Sequence, residues 1–163
     1  MRMTCMCIAG VLSATVAMAG NQPLQLSLTP DISLVDRSER IEGLSLAIWG
    51  ENPQAALALG FVNGSTGQSA GLSGAFILNY ADDYKGLQWA CVNYTKGSFL
   101  GWQGGFVNYA GSLTGLQSGF LNYAETAETA VQIGIVNFIP QNEWFTSLPD
   151  QLAPGMVFVN WRF

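Results

Sequence analysis

The side chains that ordinarily carry out reactions are few in this sequence, and poorly placed to do so. Histidine is absent, which removes the usual general base and the commonest metal ligand. Cys91 sits in an apolar stretch with no histidine to activate it, and reads as a small packing residue rather than a nucleophile. Asp82-Asp83 could hold a hard cation such as calcium, but adjacent carboxylates in a turn are ordinarily just solvated. Glu125 and Glu128 fall in a connector, where only an accident of folding would pair them as acid and base. The glycines punctuate strands instead of opening a helix, so no phosphate-binding loop is present. Asn63-Gly64-Ser65 and Asn93-Tyr94-Thr95 match the glycosylation sequon, a match that repeats ending in Asn produce by chance. Gln and aromatic side chains exposed together could stack on sugars. No catalytic, cofactor-binding or metal-binding residue is therefore assigned, and the chain is expected not to be an enzyme.

What must position any functional surface is a repeat. Gly86-Leu87-Gln88-Trp89-Ala90-Cys91-Val92-Asn93-Tyr94 is followed by Gly101-Trp102-Gln103-Gly104-Gly105-Phe106-Val107-Asn108-Tyr109 and then Gly115-Leu116-Gln117-Ser118-Gly119-Phe120-Leu121-Asn122-Tyr123. The Asn marks the register: Asn63, Asn79, Asn93, Asn108, Asn122 and Asn137 fall 16, 14, 15, 14 and 15 residues apart. Each copy is then one structural unit, and the copies build one sheet or one stack. The units are short, rich in Val, Phe, Tyr and Trp, and carry interior Gly that would weaken a helix, so they read as strands. Gly43–Gly50 is a degenerate first copy, and Gly71–Tyr80 carries one extra residue, read as a β-bulge. Before them, Leu24-Gln25-Leu26-Ser27-Leu28 alternates as a half-buried strand, and Asp31–Glu42 is a charged, solvated loop.

In 163 residues there is room for one domain. Charged residues make up 10% of the chain and hydrophobic ones 49%, against roughly 25% charged in an average soluble domain. A formal charge of −5 gives no electrostatic support for nucleic-acid binding. Arg2, the apolar stretch Cys7–Val16 and the small-x-small pattern Ala17-Met18-Ala19 read as a signal peptide over residues 1–19, leaving residues 20–163 as a single β-repeat domain. Cleavage after Ala19 would leave Cys91 as the one remaining cysteine and exclude an internal disulfide.

Alternation along a strand places Leu116, Ser118, Phe120 and Asn122 on one face and Gln117, Gly119, Leu121 and Tyr123 on the other. Neither face carries a charge. Asp82, Asp83, Lys85, Lys96, Glu125, Glu128 and Glu143 all lie in connectors. A soluble antiparallel sheet with one wet face would scatter charges along it, so both faces are expected to be covered, by protein or by lipid. In the tail, Val157, Val159, Trp161 and Phe163 alternate with Asn160 and Arg162, which resembles the C-terminal strand of bacterial outer-membrane β-barrels.

The repeat Gly-Leu-Gln-x-Gly-φ-φ-Asn, with Leu26-Ser27-Leu28-Thr29-Pro30 before it and Asn160-Trp161-Arg162-Phe163 closing it, resembles a family of bacterial surface-repeat proteins over about residues 24–163. The resemblance implies an exported protein of unassigned activity, an all-β repeat fold and a surface or outer-membrane location, and brings no catalytic residues. Ser45 and Ala58 stand where the repeat has Gln, so the first copies depart from the pattern.

Two architectures satisfy these constraints. One is an antiparallel meander or up-and-down β-barrel, with Tyr80, Tyr94, Tyr109, Tyr123 and Phe138 divided between two aromatic rims and Gln88, Gln103, Gln117 and Gln132 lining a narrow lumen. Its difficulty is that nine segments can be counted, whereas bacterial single-chain barrels have even strand numbers. The alternative is a β-solenoid in which each repeat makes one coil and Asn and Gln stack in ladders. Parallel or antiparallel pairing of neighbouring repeats separates the two. The expected role is structural or adhesive, at the outer membrane or cell surface. Outer-membrane lipid is the expected partner, a surface protein or glycan partner is possible, and no cofactor is expected. An exported soluble solenoid that binds a protein or glycan is the rival.

Overall fold

The computed structural model describes residues 21–163; the signal peptide expected over residues 1–19 lies outside the described residues. The elements are β1 (Gln22–Thr29), β2 (Ile32–Ser33), β3 (Ile41–Asn52), β4 (Ala55–Phe138) and β5 (Gly155–Arg162). They form one open sheet in the order β2-β1-β3-β4-β5, and the described residues include no helix. The fold is all-β and built from the repeat.

β4 is 84 residues of unbroken extended chain, which would reach about 280 Å if it ran straight at ~3.3 Å per residue. It winds instead. Gly71 lies against Ala56, Gly86 against Gly71, Gly101 against Gly86 and Gly115 against Gly101. The offset is always 14 or 15 residues. In an antiparallel hairpin the separation between partners shrinks toward the turn; a constant offset means that successive passes run the same way. β1 with β3 and β3 with β4 are likewise parallel, pairing Leu26 with Leu46 and Leu46 with Leu59. The stack therefore takes the solenoid form of the sequence expectation, one coil per repeat, in place of the antiparallel meander or closed up-and-down barrel.

Two columns of amides fill the interior. Asn79, Asn93, Asn108, Asn122 and Asn137 are each at most 1% exposed; the amides of the first four each donate to the next Asn Oδ1 at 2.8–2.9 Å, and Asn137 ends the column by donating to the carbonyls of Gly134 and Met156. The same amides of Asn93, Asn108 and Asn122 also donate to the carbonyls of Gly104, Ser118 and Ile133 in the next coil. The glutamine column runs the opposite way: Gln103 donates to Gln88, Gln117 to Gln103 and Gln132 to Gln117, at 2.8–3.0 Å. Ser73 occupies the Gln position in the preceding coil, so the column begins at Gln88. Its Nε2 and the Oε1 of Gln132, at the far end, are buried without partners. Between the ends, every amide is satisfied, which makes a buried polar interior stable.

A thin apolar column completes the core: Ala81, Tyr84, Phe99, Ala110, Leu113, Ala124, Ala127, Ala130 and Ile139. Tyr84 and Phe99 stack with ring centroids 6.3 Å apart. The alanines keep this space narrow, and the larger Leu113 and Phe99 each contribute about 1.5–3 kcal/mol by burial. Most of the large hydrophobic side chains point outward.

Strict alternation would place Gln117 and Asn122 on opposite sides, yet both are fully buried. The parity changes at the pair of apolar residues before each Asn. Phe120 and Leu121 both face away from the interior, as do Phe106 and Val107. Gly119 points inward, since a Cβ there would lie 2.6 Å from Asn108 Nδ2. The extra residue of the Gly71–Tyr80 copy falls in this same bend, where Phe76 is 71% exposed.

Connectors expected as turns are instead a further extended side of each coil. Asp83 accepts from the backbone N–H of Ser98, and Asp82 from that of Gly67, so even the charged residues stack from coil to coil. The span Asp31–Glu42, expected as one solvated loop, is only partly that: Ile32–Ser33 pair as β2 and Ile41–Glu42 open β3 with Ile41 buried, while its charged residues stay at the surface with Arg37–Asp31 and Arg40–Glu42 pairs at 3.6 and 3.5 Å. Asn52 holds it by donating to the carbonyls of Asp36 and Glu39. Both ends of the parallel stack are covered by antiparallel strands, β2 on β1 and β5 on β4.

Candidate functional site

The surface that the fold builds most extensively is an apolar outer face. Parallel stacking turns each position of the repeat into a column. One column runs Leu57, Leu72, Leu87, Trp102, Leu116; a second runs Leu26, Leu46, Leu59, Gly74, Trp89, Gly104, Ser118, Ile133, Val159; a third runs Phe61, Phe76, Cys91, Phe106, Phe120, Ile135. The second column crosses nine strand layers, so at ~4.8 Å per layer the face is about 38 Å long. None of its residues is ionisable apart from the Cys91 thiol. Trp89 is 68% exposed and Phe106 61%. Isolated exposed hydrophobics need no explanation, but a continuous face of this size exceeds what monomeric soluble proteins ordinarily leave open.

Aromatic rings reinforce it. Phe106 and Phe120 stack at 4.9 Å and Phe61 meets Phe76 edge-on at 5.9 Å. On the adjoining flank Tyr94, Tyr109 and Tyr123 stack at 4.8 and 5.6 Å, and Phe138 follows at 6.3 Å. The barrel reading divides these aromatics between two rims. Parallel coils gather them into one file on one side of the molecule.

In the middle of the apolar face lies a trough of roughly 770 Å³. It exists because small residues interrupt the columns of large ones: Gly74, Ala75, Ala90, Cys91, Gly104, Gly105 and Ser118 make its floor, and Leu59, Leu87, Phe76, Trp89, Trp102, Phe106 and Phe120 its walls. The Trp102 indole N–H donates to Ser118 Oγ at 2.7 Å, which uses the indole's one donor and leaves the Ser118 hydroxyl hydrogen free. Gln88 borders the trough, but its Oε1 accepts from Gln103 and Thr95 in the interior.

The candidate residues for chemistry do not converge. Cys91 lies exposed in the trough with no partner acid or base beside it. Asp82 and Asp83 are engaged with separate backbone N–H groups. Glu125 accepts from the Tyr109 hydroxyl at 2.5 Å. Among the described residues no group of three or more His, Cys, Asp or Glu could hold a metal ion, and no helix is long and apolar enough to cross a membrane.

Three tyrosines are held above their ordinary pKa. Burial, and then donation to Glu51, push Tyr80 up to about 12, while donation to Glu125 is the main cause that lifts Tyr109 to about 12. Burial also raises Tyr84, whose hydroxyl has no partner. A raised tyrosine pKa contributes stability that is fully present below the unfolded value of 10.0 and is lost as pH rises through the folded value. The urea midpoint is therefore expected to hold level to about pH 9 and to fall between about pH 10 and 12. Tyr80→Phe should flatten part of that fall. Because Tyr109 is exposed, solvent screening leaves its share small. An unchanged midpoint from pH 9 to 12 would show that Tyr80 is not held as described.

Sequence reasoning found the charge-free segments but not the trough, because small residues at 74, 91, 104 and 118 become neighbours only once the stacking direction is known. Comparison with protein-family models, with curated proteins and with solved structures finds no match to this chain.

Proposed function

We propose that this is a non-enzymatic, exported β-repeat protein of the outer membrane or cell surface, which lies with its apolar solenoid face against lipid and has a structural or adhesive role. The observation that carries this reading is the segregation of the molecule into two surfaces. The columns through Leu59, Trp89 and Phe106 are free of charge, while Asp82, Lys85, Lys96, Glu125 and Glu128 all lie on the connector side. An amphipathic body of this kind binds a membrane interface by burying apolar area, with aromatic side chains at the headgroup level. The Tyr94–Tyr109–Tyr123 file beside the face suits that boundary. The net charge of −5 offers no attraction to anionic lipid, so adhesion must rest on apolar burial and be insensitive to salt.

The test is flotation with phosphatidylcholine vesicles at low and high salt. The protein is expected to rise with the vesicles in both. Phe106→Glu, at an exposed position that should not disturb folding, places a carboxylate in mid-face and should leave the protein at the bottom of the gradient. A wild-type protein that stays monodisperse without detergent and does not float would replace this reading with the soluble solenoid that binds a protein or glycan.

A further inference from the structure

The trough differs in kind from the flat face around it, and its chemistry narrows what can fill it. Its walls are Leu59, Phe76, Trp89, Trp102, Phe106 and Phe120, with no charged group among the lining residues. A peptide laid in it would bury a run of N–H and C=O groups against a surface with few partners for them: the floor is paired strand and the Trp102 indole N–H is spent on Ser118 Oγ, which leaves the Trp89 indole N–H, the Ser118 hydroxyl and the Cys91 thiol as the side-chain donors on its surface. A sugar meets the same obstacle. An occupant that is apolar along its buried length leaves the fewest groups without partners.

Shape narrows it further. The trough spans the layers of Leu59, Gly74, Trp89, Gly104 and Ser118, four spacings or about 19 Å. Trp89 stands between Gly74 and Gly104 in the same column, so a long rigid plane cannot lie along it. A narrow, flexible hydrocarbon can bend past the indole. We infer that the trough between Trp89, Trp102 and Phe106 takes up a single acyl chain of a lipid, leaving the headgroup at the rim. This rests on the lipid-facing reading above, and names the part of the lipid that the face grips.

Gly104 supplies the decisive variant. Its backbone is not in the left-handed region, and a Cβ there would make only ordinary contact with the Trp102 indole, at 3.5 Å. Gly104→Leu thus fills the trough while adding apolar surface to the face. The probe is dodecylphosphocholine, a single-chain amphiphile with a zwitterionic headgroup, titrated below its micelle-forming concentration. The wild-type protein is expected to bind it saturably at about one per chain, with a change in tryptophan fluorescence. Alkylation of Cys91, read by peptide mapping, should slow as the trough fills. Gly104→Leu should weaken binding at least tenfold and lose the Cys91 protection, yet still float with phosphatidylcholine vesicles. If the variant binds the amphiphile as the wild type does, or if binding leaves Cys91 equally reactive, the trough is not the site. If neither protein floats, the lipid-facing reading itself fails. If the wild type floats but binds no monomeric amphiphile, only the acyl-chain assignment falls.

Discussion

Gly115→Ala is expected to prevent folding, or to remove most of the protein's stability, although it adds a single methyl group to a half-buried site. Gly115 has φ +125°, a region that side chains other than hydrogen essentially do not enter. A Cβ there would lie 2.1 Å from the carbonyl oxygen of Gly101 and 3.0 Å from its carbonyl carbon. Neither atom can yield, since both belong to the adjoining coil, and Gly101 has the same relation to Gly86. The loss should exceed about 4 kcal/mol, a large part of a typical total of 5–15 kcal/mol. Two other glycines separate the causes. Gly67 has φ +58° with nothing within 4 Å of a Cβ, so Gly67→Ala should cost only the ~1–2 kcal/mol of left-handed backbone. Gly104→Ala, which has neither the conformation nor the clash, should cost least. Thermal melts of the three variants check the order. A Gly115→Ala protein melting within a few degrees of wild type would mean that the coils are not stacked glycine on glycine.

Asn108→Ala is expected to be the most damaging of the simple side-chain truncations in the interior. Asn108 accepts from Asn93 and donates to Asn122 Oδ1 and to the Ser118 carbonyl. Removing it leaves Asn122 Oδ1 and the Ser118 carbonyl without that donor, while Asn93 keeps its bond to Gly104. At about 1–3 kcal/mol for each of these two buried groups left unsatisfied, the loss is roughly 2–6 kcal/mol. That corresponds to a fall in Tm of roughly 4–24 °C for a chain of this size. Asn63, at the start of the series, donates to Ser73 Oγ and the Gly74 carbonyl but passes no bond to Asn79. Asn63→Ala should therefore cost distinctly less. Urea denaturation of both variants measures the difference, and equal midpoints would show that the column adds nothing beyond its individual rungs.

The repeat, its register and its all-strand character can be read from the Asn spacing and the punctuating glycines, because both reflect one local requirement per coil. The direction of pairing cannot. Each copy would make the same strand in a meander as in a stack, and the 14–16-residue period leaves room for a hairpin as well as for a coil. The inside of the coil is hidden for another reason. Burial normally favours Leu, Phe and Ile over Gln and Asn, so the polar positions look like surface or lumen. A coil only a few side chains wide reverses that preference, since amides such as those of Gln103 and Gln117 bond to their own copies above and below. The switch of parity at pairs such as Phe120-Leu121 then turns Gln and Asn to the same side, contrary to simple alternation. For the candidate site, the absence of charge is plain in the sequence, whereas the trough depends on which repeats are neighbours.

The opposed directions of the two amide columns have an electrostatic consequence. Asparagine side chains donate toward the C-terminal end of the stack and glutamine side chains toward the N-terminal end. Their dipoles run side by side in contrary senses and largely cancel, unlike the summed peptide dipoles of a helix. The interior thus offers neither end of the molecule as a polarised pole for ions. A longer stack of the same repeat would remain just as neutral along its axis.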